Sequence, residues 1–144
     1  MTTATQVPPR AEIPKEQTWN AESMFADKEA WQAEYEALNK AMPQLATFQG
    51  TLGDSPENLA NYMATASLLR RRLRSLYFYA AMRNSVDSQD SEAKPLMGQA
   101  MSLFGQYGKY SAFAQPELLG IGQEKLLGWV EEHTALNPFH HYLE

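Results

Sequence analysis

One stretch constrains the fold of this chain more than any other. Between Ser55 and Ser85 the apolar residues Leu59, Tyr62, Ala66, Leu69, Leu73, Leu76 and Ala80 alternate steps of three and four. That is the spacing of one face of a long α-helix, and its heptad form suits an antiparallel bundle or a short coiled coil. The start is marked as plainly. Ser55 can cap, Pro56 fits the first helical position, and Glu57 places an acid in the first turn. The spacing predicts a helix over 56–85.

The same reading extends to both sides. Asp27 is a candidate cap for a helix from about Lys28, with Trp31, Tyr35, Leu38, Met42, Leu45 and Phe48 along one face. Pro43 falls inside that pattern, so either the helix kinks there or it stops near Lys40 and a short one begins. After a polar turn over 84–90, a third helix is expected from about Ser91, with Leu96, Ala100, Leu103, Tyr107, Tyr110 and Ala114 on its face. Gly98, Gly105 and Gly108 weaken that helix, and close helix–helix contact would explain them. Pro116 is expected to end it. A fourth, short helix over 122–132 turns Leu126, Leu127 and Val130 inward, and Asn137 and Pro138 open a last helix. No segment alternates apolar and polar residues as strands do. The fold class is therefore all-α: an antiparallel helical hairpin or bundle of three long helices plus short C-terminal helices. Residues 1–18, with Pro8, Pro9 and Pro14, read as an extended arm, and 19–144 as the helical domain. A last helix that has only just started at Glu144 predicts that the natural protein is longer.

Composition mostly excludes. The 144 residues contain no cysteine, which removes disulfides, thiolate zinc sites, iron–sulfur ligation and a cysteine nucleophile. A net charge of −5 argues against a nucleic-acid partner. The N-terminus has no positive cluster followed by an apolar core, and no run approaches the length of a membrane span. These features predict a cytoplasmic protein with neither a membrane nor a nucleic acid as partner.

The residues that could carry chemistry are few. His133, His140 and His141 are the only histidines. His140 and Glu144 share a helical face, but no two histidines stand four apart, so the His-Glu-x-x-His zinc motif is absent. Packing is the better reading of all three, and no metal ligand is assigned. Arg70, Arg71, Arg72 and Arg74 span most of a helix circumference. They could hold phosphate, but pairing with acids such as Glu29, Glu34 and Glu36 is the default. Tyr77, Phe78 and Tyr79 could line a groove, or divide between the core and a contact with another domain. Trp19 reads as an anchor for the arm and Trp129 as packing. Glu131 and Glu132 are adjacent and face apart. No catalytic residue is assigned.

A set of landmarks in order adds to this. Arg10 to Pro14 precedes Thr18-Trp19-Asn20, then Met24 to Trp31, the run Arg74 to Ala80, Ala114 to Leu119, and Pro138 to Glu144. Together they resemble the N-terminal region of oligoendopeptidase F, in the thimet-oligopeptidase-like family of zinc metallopeptidases. Asn20 and His140 depart from the family pattern and touch no chemistry. The resemblance implies a longer parent enzyme whose downstream catalytic domain carries His-Glu-x-x-His and the zinc. It implies that this region forms one wall of a channel admitting oligopeptides, is inactive alone and holds no cofactor. Tyr77, Phe78 and Tyr79 would then contact the channel or the catalytic domain. A free-standing helical adaptor that self-associates through its heptad faces explains the periodicity equally well.

Overall fold

The computed structural model describes Pro8, residues 12–87 and residues 90–144. Its centre is α2, Pro56–Val86. All seven apolar residues of the heptad face are buried along it. The Ser55 hydroxyl accepts from the Asn58 N–H at 3.1 Å, the cap that the Ser-Pro-Glu start requires.

Helix α1, Lys28–Ala41, runs antiparallel to α2. Asp27 caps it through the Ala30 N–H at 2.7 Å. Trp31 is wholly buried, and its indole N–H donates to the Leu76 carbonyl at 2.9 Å. One turn further, Glu34 takes a two-point contact from Arg72, at 2.6 and 3.0 Å. These two contacts fix the register of the pair. Pro43 resolves the alternatives left by the sequence. The α-helix ends at Ala41 and a 3-10 segment, Met42–Phe48, follows with Pro43 in its first turn. Met42 and Leu45 remain in the core, so the apolar face outlasts the change of helix type.

Helix α3, Ala93–Ser111, returns antiparallel along α2, with Leu96, Ala100 and Leu103 buried. Three expectations need correction here. Pro116 does not end this helix. The chain breaks earlier, at Ala112 and Phe113, and Pro116 sits in the first turn of α4, Ala114–Ile121. Pro95 occupies the same third position in α3. An N–H there has no partner within the helix, so proline costs nothing in hydrogen bonds. Second, close packing does not explain Gly98, Gly105 and Gly108: a Cβ built at each meets nothing within 4 Å. Third, Pro138 does not open the last helix. It lies inside a 3-10 segment, Thr134–Phe139, and α6 covers only His140–Leu143.

Helix α5, Gln123–Glu132, buries Leu126 and Val130. Gly122, at φ +87°, makes the sharp turn from α4 that a side chain would strain. Glu117 of α4 reaches back to the loop before α2, accepting from the N–H groups of Gly50 and Leu52. Those two donors would otherwise point into a junction without backbone partners. Ahead of α1, Lys15–Gln17 forms one 3-10 turn and Ala21–Ser23 another. Most of the proposed arm, at 1–7 and 9–11, lies outside the described residues, as do 88 and 89 of the α2–α3 turn. No helix among the described residues is long and apolar enough to cross a membrane.

Candidate interaction surfaces

The aromatic run on α2 is divided by helix geometry, because consecutive residues lie about 100° apart. Tyr79 points inward: it is buried, edge-on to Phe25 at 5.4 Å, with the Arg83 guanidinium over its ring. Tyr77 leans across to α3 and meets Phe104 edge-on at 5.9 Å. Phe78 faces outward at 52% exposure and touches Tyr77 at 6.0 Å. Tyr77 and Phe78 therefore share one surface, and Tyr79 belongs to the core. Met82 and Val86 follow Phe78 at steps of four and are exposed too, as is Met101 one turn before Phe104. The result is an apolar ridge along α2 and α3. A chain of this size rarely leaves such residues adjacent on its surface unless something covers them.

The four arginines behave unequally. Arg72 is committed to Glu34. Among the described residues no carboxylate lies within ion-pair distance of Arg70, Arg71 or Arg74, so the expected pairing with Glu29 and Glu36 does not form. Arg70 lines a cleft of about 200 Å³ between α2, α3 and the C-terminal segment, together with Tyr62, Tyr107 and Tyr142. The same four residues line a second depression of about 270 Å³ that continues towards Ser111 and Gln115. Tyr107 donates to the Ala66 carbonyl at 3.3 Å. Burial pushes the Tyr62 and Tyr107 phenols above their ordinary range, and each of the two feels Tyr142. Nothing in the periodicity singled this cleft out. Tyr62 and Tyr107 were legible only as face residues, and Tyr142 only as part of a terminal motif.

The histidines do not meet. His133 approaches Glu57 at 3.7 Å, a different carboxylate from the one the other two approach. His140 and His141 both approach Glu144, but at different carboxylate oxygens, 3.8 and 3.1 Å away. Among the described residues no three ligating side chains are grouped so as to hold a metal ion.

Fold and surfaces together define a class: a helical bundle with an uncovered apolar ridge and a tyrosine–arginine cleft. Comparison with known proteins gives the kinship. No family model matches the chain. Oligopeptidase PepF of Bacillus subtilis is 33% identical over 98% of this chain, which covers 21% of that protein. The chromosomal oligoendopeptidase F of Lactococcus lactis subsp. cremoris is 29% identical over 94% of the chain, which covers 23% of it. A crystal structure from Chlamydophila abortus, provisionally named a peptidase, matches 96% of the chain with a TM-score of 0.81 at 24% identity, and shows the fold. The similarity to oligoendopeptidase F that the ordered landmarks suggested is thus shown by its relatives. The chain spans about a fifth of their length, 21–23%.

Proposed function

We propose that this chain is the N-terminal helical domain of a zinc-dependent oligoendopeptidase, shaping its substrate channel and not catalytic alone. The supporting observation is one of coverage. Peptidase relatives match 94–98% of this chain, yet it accounts for only about a fifth of each. In this reading the zinc, the His-Glu-x-x-His motif and the general base belong to a downstream catalytic domain. Zinc would polarise the peptide carbonyl and activate water there. The task of these residues is geometric: three packed helices give a rigid wall that admits extended oligopeptides and excludes folded proteins. Tyr77 and Phe78, with Met82 and Met101, are the surface offered to the channel or to the catalytic domain. Tyr79 supports them from beneath by anchoring α2 on Phe25. The parent enzyme acts in the cytoplasm.

A free-standing adaptor cannot self-associate through the α2 heptad face as expected, because that face is buried within the chain. The apolar ridge favours instead a second reading in which the adaptor pairs with its own copy through Phe78, Met82 and Val86. Measurements on the isolated chain test both readings, and its oligomeric state separates them. The peptidase reading expects no stoichiometric zinc by elemental analysis and no cleavage of a quenched fluorescent peptide. Bound zinc at one per chain, or turnover, overturns it. The adaptor reading requires a stable dimer by light scattering.

A further inference from the structure

The cleft between α2, α3 and the C-terminal segment has the make-up of a carboxylate site. Arg70 lines both of its compartments and has no carboxylate partner among the described residues. A guanidinium presents a planar fork of donors that matches a carboxylate, and leaving it unpaired beside aromatic walls forgoes that match. Around it stand Tyr62, Tyr107 and Tyr142. The Tyr107 O–H is engaged by the Ala66 carbonyl, and the exposed Tyr142 keeps a hydroxyl that can donate. Ser111 and Gln115 add polar groups to the second compartment. The flanking surfaces are apolar: Met63, Ala66 and Phe139 complete the first compartment. The nearest acid that bears on Tyr62 is Glu117. Its two oxygens are already engaged by the backbone N–H groups of Gly50 and Leu52, so it does not serve as the partner of Arg70.

We infer that the cleft formed by Arg70, Tyr62, Tyr107 and Tyr142 binds the carboxylate of an extended peptide. Arg70 and the Tyr142 hydroxyl take the charge, and the aromatic walls take the adjoining residue. Phosphate is a poorer occupant, since the chain as a whole is acidic and one guanidinium would face two negative charges. That the carboxylate is a peptide's rests on the peptidase reading, whereas carboxylate binding itself is read on this chain without cleavage and can fail separately from it.

The test is a titration of the 144-residue chain, followed by the Arg70 Nε–H signal in nitrogen–proton NMR. Three blocked peptides are compared: acetyl-Ala-Ala-Ala with a free C-terminus, its C-terminal amide, and acetyl-Ala-Glu-Ala-amide. The first and third separate a terminal carboxylate from a side-chain one. At least one of them is expected to shift Arg70 in a saturable way and to bind about tenfold more tightly than the neutral amide, as a charge-assisted pair should. Arg70→Gln, an exposed position where folding is not at stake, is expected to remove that preference. Tyr142→Phe weakens it a few-fold. Equal binding of the amide, a preference unchanged in Arg70→Gln, or no saturable shift with any peptide overturns the inference.

Discussion

Trp31 shows how one side chain can hold two helices in register. It is wholly buried and its N–H reaches a carbonyl of α2 that sits mid-helix. Replacing it with alanine removes the ring and leaves a cavity, so Trp31→Ala is expected to lower stability by about 3–5 kcal/mol in denaturant unfolding. Trp31→Phe should cost less, because the Leu76 carbonyl keeps its helical donor. The glycines of α3 make the opposite prediction. With nothing within 4 Å of a built Cβ, Gly105→Ala and Gly108→Ala should each raise stability by up to about 1 kcal/mol, read from the same unfolding curves. The sequence could show that these glycines weaken a helix, but not that the space beside them is empty. That depends on which way each residue faces once α3 lies on α2. Tyr62 and Tyr107 set a pH response. Burial raises both phenols above the ordinary value of 10.0, so the folded chain keeps protons that the unfolded chain releases. Their contribution is complete below pH 10 and is lost as pH rises through the folded values. Alkaline titration by circular dichroism should show unfolding beginning above about pH 10, and Tyr62→Phe should shift its onset upward.

At the level of elements, caps and apolar periodicity made most of the fold legible. Asp27 and Ser55 each form the cap their sequences announce, and the heptad face of α2 is the buried face. Pro95 stands in a first turn as its sequence context indicates, whereas the reading of Pro116 as a terminator fails for a physical reason. A proline interrupts a helix only where its N–H would have been bonded, and Pro95 and Pro116 each stand in a first turn. From sequence alone the position of that first turn near Pro116 is hidden, because the break at Ala112 and Phe113 carries neither glycine nor proline. The aromatic run was legible as a division between core and contact. Which residue goes inward follows only from the placement of Phe25 and Phe104 on other elements. The cleft was not legible, since Arg70, Tyr107 and Tyr142 come from three segments that only the tertiary fold brings together.

For the whole molecule, the ridge on α2 and α3 and the coverage of the relatives point the same way. Phe78, Met82, Val86 and Met101 remain exposed on α2 and α3, as do Leu68, Leu119 and Tyr142 elsewhere. Peptidases several times longer contain a region like this one over nearly its full length. A parent enzyme is tested most directly by sequencing the reading frame beyond the codon for Glu144. Translation is expected to continue in frame into a helical domain carrying His-Glu-x-x-His. A stop codon immediately after Glu144 would contradict it and leave the self-associating adaptor as the reading to pursue.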